Sequence, residues 1–251
     1  MNDLVITNPI LNSAYLDYID KCEEVNDFFT LIDFLESTKN ISVMGNDKIS
    51  AEEKQIVLDR SLIGTIQSSS FLLLYNLIES TMTAAIDAIY KNLQHLEQQH
   101  QNVPNLFIFN LKEKLRKSLI KQYAGIFSIE GIKVLSDNKR SFFGSVISNG
   151  YDKKNLFNGN IDYSQIDDIA RNQFGFKVKP VNGNLYDTNH ILTVKNKRNN
   201  LAHGSQTFTE VSQYLAVGEL KQHLDSVINL LNGVFSSIEN YLVNQSYLEP
   251  V

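Results

Sequence analysis

The stretch GELKQHLDSVINLLNGVFSSIENYLV, residues 218–243, decides the class of this chain. Leu220, Leu224, Val227, Leu231, Val234, Ile238 and Tyr241 recur every three or four residues. That near-heptad stripe puts all seven side chains on one face of a long helix, as a core-facing amphipathic segment requires. Directly upstream, residues 188–203 read as a second helix that stops at Gly204, the residue type best suited to a left-handed helix cap.

The same periodicity returns toward the N-terminus. Between residues 15 and 35, Leu16, Ile19, Val25, Phe28, Phe29, Ile32 and Leu35 define an amphipathic helix with an acidic outer face. Ser50-Ala51-Glu52-Glu53 has the form of a capping box and is expected to open a long helix reaching about Gln99. A break is expected in it near Gly64 or at Ser68-Ser69-Ser70. Its second half, with Leu72 to Leu77, Ile78, Met82, Ala85, Ile86 and Ile89, is apolar on most faces and reads as central and buried. Pro104 marks a boundary, after which Lys112, Lys114, Arg116, Lys117 and Lys121 alternate with Leu111, Leu115, Leu119 and Ile120 in a basic helix. Residues 125–160 carry five glycines and several asparagines and read as a loop-rich insertion, with short strands at 131–135 or 142–147 left open. Asn160-Ile161-Asp162-Tyr163 caps a short helix that ends near Phe174-Gly175, and Lys179-Pro180 opens another loop. The expected organisation is one all-α domain over residues 1–251: N-terminal helices (1–100), a basic middle (101–187) and the closing helix pair (188–243).

Composition narrows the function classes. With 251 residues, 43% apolar and 20% charged, the chain has material for a substantial core and does not read as disordered. No unbroken apolar run approaches the roughly 20 residues of a bilayer span, and Met1-Asn2-Asp3-Leu4 lacks the basic start of a signal peptide, so a cytoplasmic protein without a membrane partner is expected. A lone Cys22 excludes an intramolecular disulfide and a cysteine-rich zinc site. The net charge of −5 hides an asymmetry: residues 101–203 hold 16 Lys and Arg against 8 Asp and Glu, whereas residues 1–100 hold 6 against 15. A basic middle can build a local positive face for an anion, unless folding intermixes it with the acidic parts.

The chemistry-bearing stretch is Lys195-Asn196-Lys197-Arg198-Asn199-Asn200-Leu201-Ala202-His203-Gly204. Asn199 and His203, four residues apart, share a helix face, whereas Arg198 lies about 140° around an ideal helix from His203. A loosened last turn, the length of arginine, or a second copy of the motif across a two-fold axis would bring the guanidinium and imidazole together. A helix C-terminus favours a cationic ring, which suits a proton donor. The plainer alternative is a surface arginine and a histidine capping the last carbonyls.

Arg198-Asn199-Asn200-Leu201-Ala202-His203 resembles the R-x4–6-H signature of the HEPN superfamily (higher eukaryotes and prokaryotes nucleotide-binding), including the polar residue after the arginine. Its setting is similar too: an apolar helix with Leu74-Tyr75-Asn76-Leu77-Ile78-Glu79-Ser80, a turn at Phe157-Asn158-Gly159-Asn160-Ile161-Asp162 before a short helix, and a long amphipathic helix after the motif. The resemblance is to the MAE-type, ribonuclease-like HEPN branch found near defence and restriction genes. It follows the order of elements over about residues 15–243 and is closest over 185–243.

This resemblance implies a HEPN-like helical bundle that dimerises so that two motifs line one cleft, and a metal-independent endoribonuclease that acts without a cofactor as a toxin or defence effector. His203 would be the general acid/base, Arg198 would hold the scissile phosphate, and Asn199 would orient imidazole or substrate. RNA would be the partner, with a cognate antitoxin or neighbouring defence protein as further candidates. The alternative is a non-catalytic HEPN-like module that binds RNA, a nucleotide or a protein.

Further residues are weighed from the sequence itself. Glu79, with Asn76 three residues earlier on the same face, is expected either to support Arg198 from behind or to lie on a solvated strip. Lys195 and Lys197 are the preferred phosphate contacts, while the Lys112–Lys121 face reads first as a solvated one. His95, His100, His190 and His223 have no sibling at ligand spacing, so no metal site is expected. No glycine pattern of a nucleotide-phosphate loop is present.

Overall fold

The computed structural model describes residues 4–99, 111–124, 157 and 159–249. Seven α-helices and one two-stranded sheet lie among the described residues. In chain order these are α1 (Pro9–Ser37), β1 (Ser42–Asn46), β2 (Glu53–Val57), α2 (Arg60–Gln99), α3 (Glu113–Ala124), α4 (Tyr163–Asp168), α5 (Thr188–Ala202), α6 (Phe208–Ser212) and α7 (Glu219–Val243). The fold is all-α, as the periodicity predicts. Of the expected insertion at 125–160, only Phe157, Gly159 and Asn160 are among the described residues, and the Pro104 boundary and both open strand assignments lie outside them.

The chain divides into two compact units, one of Met1–Tyr18, Glu79–Leu185 and Asn229–Val251, the other of Ile19–Ile78 and Tyr186–Ile228. In the first, Tyr15 and Tyr18 set their rings against Phe235 at 5.2 and 5.3 Å. Around Met82, Ile86 and Ile89 gather Ile166, Ile169, Phe174, Val178, Val234 and Ile238, all buried. Asp162 caps α4 by accepting from the Gln165 amide, and the helix runs on as a π-helical segment, Ile169–Phe174, that ends at Gly175 with φ of +84°. The cap and stop are those read from the sequence. Gly233 sits in the middle of α7 because a Cβ there would lie 2.7 Å from the Lys179 carbonyl oxygen. α3 turns Leu115 and Leu119 inward, with Lys114 and Lys117 exposed.

The second unit holds most of α1, the hairpin, the first half of α2, and α5, α6 and the start of α7. Cys22, Val25, Phe29, Ile32 and Leu35 bury one seam of α1. The α1 stripe differs from the expected one at its start: Leu16 is exposed, and Leu11, Tyr15 and Tyr18 carry the seam instead. The tyrosines supply apolar ring area there that a count of aliphatic residues passes over.

The hairpin is a correction. Ser50-Ala51-Glu52-Glu53 does not cap a helix; Ser50, Ala51 and Glu52 lie in the connection between β1 and β2, whose register pairs Ser42 with Val57 and Asn46 with Glu53. Asp47 organises the turn, accepting from the Ile49 and Ser50 amides at 2.8 and 3.0 Å and pairing with Lys54. A carboxylate taking successive amides closes a turn as readily as it caps a helix. α2 begins later, where Asp59 accepts from the Leu62 amide at 2.8 Å.

The expected break in α2 is absent; the helix runs unbroken through Gly64 and Ser68-Ser69-Ser70. Gly64 and Ser68 seat α6 instead. A methyl group at Gly64 would collide with Ser212, and the buried Ser68 hydroxyl donates to the Phe208 carbonyl at 2.6 Å. α2 is also long and apolar enough to cross a membrane by length and composition, although Asn76 and Glu79 interrupt its apolar run. Its apolar positions Phe71, Leu74, Tyr75, Ile78, Ile86 and Ile89 are buried against protein. α6 escaped the sequence reading, although Thr207 and Glu210 form a reciprocal capping box at its start.

Candidate active site

The site is built on α5. Asp187 caps its first turn through the Asn189 amide at 2.8 Å. Ile191 and Val194 are wholly buried, and continuing their three-and-four spacing leads to Arg198 and Leu201. Arg198 therefore occupies the inward side of its helix. Its guanidinium carbon lies 4.2 Å from the centre of the buried Tyr75 ring, and Nη1 donates to Asn199 Oδ1 at 2.9 Å. A planar cation stacked on an aromatic face and held by an amide has little rotational freedom left.

The end of α5 is equally fixed. His203 closes it, its amide donating to the Asn199 carbonyl at 2.9 Å, and Gly204 turns away with φ of +68°. The Asn200 carbonyl accepts from Ser205 N at 3.0 Å, and the Asn200 side-chain amide donates to Gln206 Oε1 at 2.8 Å. The His203 side chain is exposed on this tied-off turn, whereas Arg198, Asn199, Lys195 and Lys197 are half-buried. Lys195, Asn199 and His203 follow one another at intervals of four along one face. Within one chain, then, the anchored cation is on the inward side and the imidazole is in solvent.

Of the expected supporting pair, Asn76 is exposed beside Tyr75, and Glu79 is half-buried and belongs to the other compact unit, where its carbonyl accepts from the Thr83 hydroxyl at 2.8 Å. The sequence by itself does not mark Tyr75 as a site residue. A tyrosine in an apolar run carries no local mark that distinguishes an arginine platform from a core ring.

His190 and His223 come together, although 33 positions separate them. Their rings lie 4.7 Å apart, and His190 Nδ1 is 2.8 Å from the Ser226 hydroxyl. Among the described residues no three His, Cys, Asp or Glu side chains converge as ligands for a metal ion.

The MAE_28990-like HEPN family matches residues 17–247, nearly the whole chain and the whole of the site just described. The chain belongs to this HEPN family. No curated protein and no solved structure matches it. HEPN domains are generally ribonucleases or RNA-binding modules, and membership carries that coarse assignment to this chain. Arg198 to His203 lie at the end of α5, and the long α7 follows after the short α6.

Proposed function

We propose that this HEPN protein is a metal-independent endoribonuclease that works as a homodimer, serving as a toxin or defence effector. RNA brings its own nucleophile, so the protein has to supply only proton transfer and a cation for charge developing on phosphorus. One His203 removes the proton from the 2′-hydroxyl. The freed oxygen attacks the adjacent phosphorus, and the partner's His203 protonates the departing 5′-oxygen. The products are a 2′,3′-cyclic phosphate and a 5′-hydroxyl. Arg198 stabilises the phosphorane-like charge, Asn199 keeps the guanidinium oriented, and Lys195 and Lys197 hold flanking phosphates.

One observation carries this reading: a guanidinium fixed between Tyr75 and Asn199, five residues before an exposed imidazole on a rigid helix end. Residues that serve only as a solvated helix end need no such anchoring. The divergence of Arg198 and His203 within one helix is why the proposal requires two copies, each completing the other's site. The decisive experiment incubates the protein with an end-labelled RNA and with the same strand carrying 2′-deoxyribose throughout, with and without EDTA. Cleavage of the RNA alone, unaffected by EDTA and leaving cyclic phosphate ends, is the expected result; cleavage of the deoxy strand or inhibition by EDTA rejects the mechanism.

The engagement of Arg198 Nη1 by Asn199 favours a second reading, in which the motif binds RNA without cutting it. That reading expects retention of intact RNA and no new termini.

A further inference from the structure

A groove of about 490 Å³ lies within the first compact unit, alongside the last turns of α7. Its walls combine Lys177 and Lys179 with Phe176, Asn240, Asn244 and Ser246, and no Asp or Glu lines it among the described residues. In a chain with more acidic than basic residues, a carboxylate-free groove carrying two lysines is a selective arrangement.

Lys177 and Lys179 are exposed on either side of the buried Val178, and both line the groove. The segment is fixed against α7: the Lys179 amide donates to the Ser237 hydroxyl at 3.1 Å, and its carbonyl rests on Gly233, where no side chain could fit. Phe176 is half-buried, supported by the Tyr241 ring at 5.0 Å and the Phe174 ring at 6.2 Å, and forms an aromatic wall of the groove. The helix end that would repel an anion is tied off. Asn244 N donates to the Asn240 carbonyl, Gln245 N to Leu242, and Ser246 N to Tyr241, at 3.2, 3.1 and 2.9 Å.

We infer that this groove binds a nucleoside phosphate, with the phosphate between Lys177 and Lys179 and the base against Phe176. The ligand class rests on the chemistry. Paired cations call for a phosphate, an aromatic ring gives a planar base a stacking surface, and the Asn240, Asn244 and Ser246 side chains offer neutral hydrogen-bonding groups to sugar and base. The volume suits one nucleotide. The same chemistry is offered by a free nucleotide and by one unit of an RNA strand. The inference goes beyond the proposed cleavage and stands whether or not His203 is catalytic.

The test uses the full chain carrying His203→Ala, so that RNA stays intact, and reads fluorescence anisotropy of a labelled ten-residue oligouridylate. The partner variant adds Lys177→Glu and Lys179→Glu, both exposed positions, with an unchanged melting temperature as the check on folding. Charge reversal is expected to weaken binding at least about tenfold and to reduce the salt dependence by about one phosphate contact or more. Phe176→Leu, which keeps apolar packing, is expected to weaken binding several-fold without changing the salt dependence. Competition by free AMP assigns the groove to free nucleotides, and competition by unlabelled oligonucleotide alone assigns it to a strand; both support the inference. Equal binding by the charge-reversed protein overturns it, as does competition by inorganic phosphate equal to AMP, or by a polyglutamate peptide better than both. Loss of cleavage in the His203→Ala protein with the groove still binding would leave both proposals standing. Retained cleavage would remove the proposed mechanism and leave the groove intact.

Discussion

His203 and His223 are separated by twenty positions and occupy opposite environments. His203 stands in solvent at the end of α5, on a turn whose backbone is fully tied. His223 is 2% exposed on α7, 5.6 Å from the Phe71 ring, and neither of its nitrogens has a hydrogen-bond partner among the described residues. Burial is the main reason that the His223 ring is pushed down to a pKa of about 4; neighbouring His190 works in the same direction, and Glu219 and Asp187 oppose it only weakly. The same side chain is thus a candidate proton carrier in one place and a suppressed base in the other. Access to water separates them, since a charged ring costs little where solvent reaches it and several kcal/mol where it does not.

The largest effect that can break this comparison is on cleavage. His203→Ala should lower the initial rate of RNA cleavage by on the order of 10²–10⁴-fold. Because the side chain is exposed, the melting temperature should stay where it is. A variant that cuts at the parental rate would make His203 as silent as His223.

The second effect is on stability and runs through pH. The unfolded chain takes up a proton at His223 near pH 6.5, whereas the folded chain resists until about pH 4. Below pH 6.5 the unfolded state therefore binds more protons, and stability falls with pH by about 3 kcal/mol before levelling near pH 4. His223→Phe should lose this component. Urea denaturation of both proteins at pH 7.5, 5.5 and 4.5 isolates it as the difference between the two, and parallel curves would show that the buried ring does not govern acid sensitivity.

Smaller effects sharpen how the motif is held. Tyr75→Leu removes the ring beneath Arg198, and should cost about 1–3 kcal/mol of stability from the lost stacking and the poorly filled space. Cleavage should fall with it even after the protein is fully folded, as read from rates measured well below the midpoint of melting. Thr207→Ala removes the α6 cap just beyond the motif and should cost about 1 kcal/mol, seen as a small drop in the urea midpoint with little change in cleavage.

The two capping-box signatures show how far local reading reaches. Thr207 with Glu210 makes both hydrogen bonds of the box, the Thr207 amide to Glu210 Oε2 at 2.7 Å and the Glu210 amide to Thr207 Oγ1 at 3.2 Å. Ser50 with Glu53 makes neither in that form, because Asp47 has already taken the nearby amides to close a hairpin. The four-residue pattern is the same type in both, and the residues on either side of it decide between helix and hairpin. Gly64 and Ser68 of α2 teach a related lesson. They look like breakers, but their small size serves the close seating of α6, which only the packed chain reveals.

From the sequence alone came the helical class, the caps at Asp162, Gly175 and Gly204, the buried stripe of α7 and the position of Arg198, Asn199 and His203 at one helix end, because these depend on periods and caps spanning a few residues. Tertiary structure alone decided that Arg198 stacks on Tyr75, that His190 meets His223, and that Lys177 and Lys179 share a groove with the end of α7. Each of these joins residues on different elements, tens of positions apart or more, and their distances are set by which buried faces pack together, a quantity that no local pattern encodes.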